Sequence, residues 1–257
     1  MGKIITRLRI FYGLMQKIKN WHTIFLVYCG IYRKDVFTLA FRNGLSVKLR
    51  TSSTDIQALA NVWVNEEYKK AGFEVKNEDI IIDVGAQVGL FTLYASQYCK
   101  LGKIFCLEPI KSNFDLLSEN VRMNHLSNVK CIQKAVYDKN DSVRMYLSKT
   151  DDAAHNIFDS GNEYVDVNTT TLSEIFNSNN IQVCNLLKMD CEGSEYKIFE
   201  STSDEYIGRI QKICLEYHII NEDRRSLNAL KSRLGTLGFQ VTDIPSVHNL
   251  GMLYAKK

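Results

Sequence analysis

A chain of 257 residues with 45% hydrophobic content has room for one sizeable α/β core and an appendage. Its two prolines, Pro109 and Pro245, and the lack of any repeat argue against a linker between separate units. The net charge of +3 is unevenly placed: residues 1–34 hold seven of the 32 basic residues and no acid, leaving 25 basic against 29 acidic side chains. That excludes a uniformly basic nucleic-acid surface, so no nucleic-acid partner is expected.

The first helix is predicted from Ile4, Leu8, Phe11, Met15 and Ile18, with Ile5 and Tyr12 widening the stripe and Lys3, Arg7, Arg9 and Lys17 opposite. Such a basic amphipathic helix suits three placements: its own domain, a partner subunit in a homo-oligomer, or an anionic membrane surface. The apolar run Ile24 to Tyr32 is broken by Cys29–Gly30 and falls short of the ~20 residues that cross a bilayer. It also lacks a signal-peptide cleavage pattern. Seven cysteines without a CxxC pair read as reduced core thiols. A cytoplasmic protein, with peripheral membrane contact through the first helix as the variant, is expected.

Phe37 to Leu49 alternates on either side of Asn43–Gly44, a β-hairpin with a tight I′ turn. Thr54–Asp55 then cap a helix over QALANVWVNEEY. These elements form an N-terminal extension, residues 1–74. From residue 79 apolar strands alternate with helices: DIIIDV, helix 88–98, KIFCLE, helix 111–124, VKCIQKAV, NLLKMD, helix 195–202, KICLEY and helix 222–237. Continuous apolar strands predict a mostly parallel sheet covered on both faces. FQVTDI and MLYAKK follow without a helix between them, which predicts an antiparallel C-terminal edge. Residues 75–257 thus read as a Rossmann-like α/β domain, with an insertion at about 139–170 placed to shape a substrate pocket.

Asp83-Val84-Gly85-Ala86-Gln87-Val88-Gly89 joins the first of these strands to its helix. Gly85 and Gly89 let the backbone turn sharply and approach a ligand. The spacing is not GxGxxG, which disfavours a pyrophosphate, and the Asp83 carboxylate suits the cationic amino end of S-adenosyl-L-methionine, directly or through water. Glu108 stands 19 residues beyond Gly89, where a carboxylate can accept both ribose hydroxyls, and Pro109 turns the chain away. The adenine is expected near Ala135 and Val136.

Further on, LLKMDCEGSE ends a strand at Asp190, with Glu192 and Glu195 across Gly193, and the next strand ends in Glu216-Tyr217-His218. Adjacent parallel strands deliver these ends to one crevice. Methyl transfer to a hydroxyl needs a group that takes the proton or a metal that lowers its pKa. Asp190 is the expected positioning group or base and His218 its helper. Glu192 and Glu216 either stabilise the turns or bind the acceptor, and the same acid/His group also offers a divalent-metal site. His155, in the insertion, is either a substrate contact or a solvated loop residue.

In this order the residues resemble the FkbM-type methyltransferases: IIDVGAQVGLFTLYA, the LEP around Glu108, AVYD, LLKMDCEGSEYKIFE and LEYH, over about residues 53–257. One departure is Gln87, where the family's glycine loop usually carries Asn. The resemblance implies the class I methyltransferase fold, a seven-stranded sheet, and O-methylation of a sugar, glycan or related small molecule. It carries cofactor roles onto Asp83, Gly85, Gly89 and Glu108 and an acceptor-side role onto Asp190 and Glu192. Methylation of a protein or lipid, or a non-catalytic membrane-associated module that retains the fold, are the alternatives.

Overall fold

Runs of β-branched and aliphatic residues build the centre of the molecule, and the polar turns between them determine how they are ordered. The computed structural model describes residues 2–146, 163–219, 224–246 and 249–257, with side chains from residue 8. Helices α1 (Gly2–Lys17) and α2 (His22–Tyr28) precede a hairpin of β1 (Val36–Ala40) and β2 (Ser46–Arg50), then α3 (Asp55–Trp63). The alternating unit follows as β3 (Ile80–Val84), α4 (Leu90–Ser96), β4 (Lys103–Leu107), α5 (Lys111–Met123) and β5 (Val129–Ile132). Next come β6 (Ala135–Val136), β7 (Ser142–Tyr146), β8 (Tyr164–Thr170), α6 (Leu172–Ser178) and β9 (Leu186–Met189). The chain ends with α7 (Glu195–Ser201), α8 (Asp204–Gly208), β10 (Lys212–His218), α9 (Arg225–Thr236), β11 (Gln240–Pro245) and β12 (Leu250–Lys256).

Seven strands form the main sheet in the order β11-β12-β10-β9-β3-β4-β5. β10, β9, β3, β4 and β5 run parallel, and β12 runs antiparallel to both its neighbours. The C-terminal hairpin therefore closes the sheet as its antiparallel edge, with the reversed strand one place in and β11 outermost. Five consecutive buried residues in β12 suit that interior position. The doubly wound order switches direction between β9 and β3, so the ends of β3, β4, β9 and β10 open onto one crevice.

Strand pleating divides the core. Ile82, Val84, Leu187, Met189 and Leu215 face one hydrophobic cluster with α6, α7 and α9, whereas Ile81, Leu186 and Cys214 face another with α3, α4 and the hairpin. The N-terminal segment thus shares the sheet's own core. In α1, Leu14 and Ile18 are buried, Arg9 donates to Asn65 and Lys17 pairs with Glu66, so this helix lies on its own domain. Leu8 and Tyr12 stay exposed. Among the described residues no helix is long and apolar enough to cross a membrane.

Several local expectations are corrected. The hairpin does not use a I′ turn: only Gly44, at φ +95°, enters the left-handed region, and Phe41 and Leu45 extend the connection. VKCIQKAV is not one strand. It breaks at Gln133–Lys134, and β6 leaves the main sheet to pair with β8 in a small sheet of order β6-β8-β7. α4 begins at Leu90 rather than at residue 88, because Gly89 adopts φ +90° at its N-cap. α6, which sequence periodicity does not reveal, is capped by the Thr171 hydroxyl accepting from the Glu174 N–H at 3.1 Å.

Arg50 and Asp55 tie the extension to the domain. The fully buried Asp55 accepts from the Arg50 backbone N–H and from its guanidinium at 2.7 and 3.1 Å. Removing one partner of such a pair strands a charge in a low-dielectric setting. Asp55→Ala is expected to lower the unfolding free energy by about 3–5 kcal/mol, measured by urea denaturation followed by circular dichroism.

Candidate active site

A cavity of about 390 Å³ lies over the carboxyl ends of β3, β4, β9 and β10. Its floor is the glycine turn after β3. Gly85 adopts φ +73°, and a Cβ there would stand 1.7 Å from the Asp190 carbonyl oxygen, so only glycine lets the two strand ends approach this closely. Gln87 is also left-handed, at φ +51°. Asn tolerates that conformation better than Gln, which gives the departure at this position a small conformational cost.

Glu108 lines one end of the cavity. Its Oε2 accepts from the Gln87 N–H at 2.9 Å, and its Oε1 accepts from the Ile110 N–H at 2.9 Å and from Asn113 at 3.3 Å. Burial pushes its pKa up to about 7 in spite of those donors. Ala86, Pro109, Ala135 and Val136 join it in the cavity wall. Oε1 already accepts two donors, whereas Oε2, with one, retains acceptor capacity for a ribose hydroxyl.

Asp83 does not reach the wall. Its carboxylate is fully buried, accepting from the Thr92 hydroxyl at 2.7 Å and standing 3.2 Å from the Lys188 ammonium. Of the two contacts expected of Asp83, direct or through water, the structure does not offer the direct one: its charge is engaged by Lys188. Lys188 also donates to the carbonyls of Gly85 at 2.8 Å and Val84 at 3.3 Å. Burial opposes its charge, but Asp83 and Asp190 hold its pKa above the ordinary lysine value. Gly89 likewise stands behind the wall, as the cap of α4.

Asp190, Glu192, Glu216 and His218 converge on the opposite end of the cavity. Their arrangement corrects the role foreseen for His218. Its Nε2 lies 3.0 Å from Glu192 Oε2 and its Nδ1 3.3 Å from Glu195 Oε1, rather than against Asp190. Burial opposes an imidazolium, yet the two carboxylates push the pKa up to about 11. At neutral pH His218 therefore carries its proton and does not serve as a base. Glu216 is raised to about 8 by burial and by the nearby charges of Asp190 and Glu67, and Glu67 is raised by burial and by Asp190. His155 lies outside the described residues.

The extension supplies side chains that sequence reasoning did not place here. Thr54, Gln57 and Asn61 along α3, then Glu67 and the buried Tyr68, line the cavity. The Tyr68 hydroxyl stands 3.5 Å from Asp190 Oδ2. The polar residues of TDIQALANVWVNEEY, which runs through α3 and beyond it, are the sequence signal for this.

Comparison with known proteins decides the class. The model of the methyltransferase FkbM domain matches residues 83–241. The chain belongs to the FkbM methyltransferase family. It is 25% identical over 219 residues to the 31-O-demethyl-FK506 methyltransferase FkbM of Streptomyces tacrolimicus, covering 72% of this chain and 83% of that one. It is 23% identical over 201 residues to Methyltransferase 1 of Beauveria bassiana, covering 70% and 79%. Among solved structures, the METTL16 methyltransferase domain matches in fold at a TM-score of 0.51, with 15% identity over 84% of this chain and 74% of that domain.

This FkbM-family protein is an S-adenosylmethionine-dependent methyltransferase, and its cavity fits that cofactor: a glycine cradle that a Cβ would fill, a carboxylate at the nucleoside end and an excess of carboxylates at the other. Only ionised Glu108 offers a free lone pair to a ribose hydroxyl beside its three protein donors. With its pKa near 7, cofactor affinity should fall as the pH drops below 7, by up to about tenfold per pH unit. Glu108→Gln should bind the cofactor more weakly at pH 8 and flatten that dependence, as read by calorimetry between pH 5.5 and 8.5.

Proposed function

We propose that this methyltransferase methylates a hydroxyl oxygen of a sugar, glycan or related small molecule. The observation that carries the reading is the placing of Asp190. It ends β9, its N–H donates to the Val84 carbonyl at 3.1 Å, and its carboxylate faces the cavity beside Glu216 and Tyr68. A hydroxyl is a poor nucleophile while protonated, and carboxylates here can orient it and take the proton. The amide and hydroxyl side chains of Thr54, Gln57 and Asn61 extend the polar wall. Carboxylates and amides along one side of a pocket match an acceptor with several hydroxyls. The Streptomyces tacrolimicus relative, whose name places the methyl on an oxygen, supports the same chemistry.

Bound S-adenosylmethionine supplies an electrophilic methyl group on a sulfonium. The protein's part is placement, which in favourable intramolecular cases contributes roughly 7–11 kcal/mol, together with removal of the hydroxyl proton. The sheet supports placement: β3 and β9 are paired in register from Ile81↔Leu186 to Val84↔Met189, so the cofactor turn and Asp190 do not shift independently.

Asp190→Asn is expected to cut methyl transfer by about 10²–10⁴-fold, with cofactor affinity unchanged in calorimetry. The assay is a panel of sugars and hydroxylated metabolites with radiolabelled methyl donor. Full activity in the variant, or labelling confined to nitrogen, overturns the reading.

A further inference from the structure

We propose that Asp190, Glu192 and His218 form a binding site for a divalent cation of the Mg²⁺/Mn²⁺ class at the acceptor end of the cavity. The proposal deepens the hydroxyl-methylation reading in its role, but its geometry is independent of it. One ligand atom from each of the three residues lies within 4.8 Å of the others, and all three side chains line the cavity. They come from the ends of two hydrogen-bonded parallel strands, where Leu215 pairs with Met189, and from the turn between β9 and α7. The sheet therefore fixes their spacing.

The distances suit coordination. Two ligands about 2.1 Å from an octahedral ion and at right angles to each other are about 3.0 Å apart. Glu192 Oε2 and His218 Nε2 are 3.0 Å apart. Glu192 reaches this position from a left-handed backbone, φ +54°, in front of Gly193 at φ +100°. For a residue other than glycine this conformation is strained. It is held by Glu195, whose Oε1 accepts from the N–H groups on either side, those of Cys191 at 3.2 Å and Gly193 at 3.1 Å.

Glu195 supplies the second, independent observation. Its side chain is fully buried, with Oε1 3.3 Å from His218 Nδ1, and both Glu195 Oε2 and His218 Nδ1 lack a hydrogen-bond partner. A histidine that ligates a metal through one nitrogen characteristically gives its other N–H to a carboxylate, which fixes the tautomer and aims the ring. Nδ1 faces Glu195 and Nε2 faces Glu192 and Asp190, so an ion bound here takes the place of the proton that Nε2 now shares with Glu192.

Charge points the same way. Glu67 and Glu216 share this end of the cavity with the ligand carboxylates, while Lys188 is already engaged by Asp83 and the carbonyls of Val84 and Gly85. Two carboxylates and one imidazole favour a hard or borderline ion over a thiophilic one. An ion here acts as a Lewis acid on the acceptor hydroxyl. The hydroxyl proton passes to the Glu67 carboxylate, the oxygen–methyl bond forms as the sulfur–methyl bond breaks, and a neutral thioether leaves.

The test uses the full chain, stripped with EDTA and exchanged into chelator-free buffer, titrated with Mn²⁺ while free Mn²⁺ is followed by electron paramagnetic resonance. Neither cofactor nor acceptor is added. One Mn²⁺ per chain is expected, with affinity at least tenfold weaker in His218→Ala and Glu192→Gln. Glu195→Gln, which touches no ion, should lose about 10–100-fold. If that buried substitution unfolds the chain by circular dichroism, the two cavity-wall variants decide. Wild-type protein that retains no Mn²⁺ at millimolar concentration, or His218→Ala that binds it unchanged, overturns the site. Because the readout needs no turnover, methyl transfer that persists in EDTA without Mn²⁺ binding sinks the site alone. Mn²⁺ binding without hydroxyl methylation sinks only the acceptor reading.

Discussion

A buried ammonium that is left unpaired is among the most costly features a fold can contain, and Lys188 sits where that cost is met by the active-site backbone itself. Its Nζ contacts Asp83 at 3.2 Å and the carbonyls of Gly85 at 2.8 Å and Val84 at 3.3 Å. These partners belong to β3 and the glycine turn, whereas the lysine belongs to β9, so one side chain links the cofactor loop to the strand that delivers Asp190. Replacing either member of the Lys188–Asp83 pair alone would leave an uncompensated charge in the interior. The close approach of Gly85 to the Asp190 carbonyl depends on the same arrangement.

From this clamp the cavity acquires two ends of different electrostatic character. At the β4 end a single carboxylate, Glu108, accepts from backbone and amide donors. At the β9–β10 end Asp190, Glu192, Glu216 and Glu67 crowd one wall, and the raised pKa values of Glu67 and Glu216 record burial and mutual repulsion. A sulfonium between the two ends is drawn towards the second, where the acceptor would lie.

Much of this was legible in the residues because the signals are local. Apolar runs of strand length, the glycines at positions 85 and 89, and an acid at the end of the second core strand each depend on a few neighbouring positions. The direction of Asp83 is set differently. Pleating puts it on the same side of β3 as Ile81, facing Thr92, and the partner that neutralises it is 105 positions away in sequence. The protonation of His218 depends on Glu192 and Glu195 arriving from the turn after β9 and from the start of α7. The break after β5 was hidden because Gln133–Lys134 carries no glycine or proline to mark the change of sheet.

The largest omission was the role of the extension, and its physical basis shows why it matters. Asp55 holds Arg50, Arg50 donates to Asn113 Oδ1 at 2.9 Å, and Asn113 donates to Glu108. One polar chain therefore runs from the start of α3 to the nucleoside end of the cavity, while the rest of α3 and Tyr68 wall the acceptor end. The shared family domain begins at residue 83, after all of these positions except Asn113 and Glu108. The core of the sheet can thus keep its cofactor geometry while the segment before it changes the shape and polarity of the acceptor wall. Substitutions in α3 that spare Asp55 should act on the acceptor, whereas those that disturb Asp55 should reach the cofactor end through Arg50.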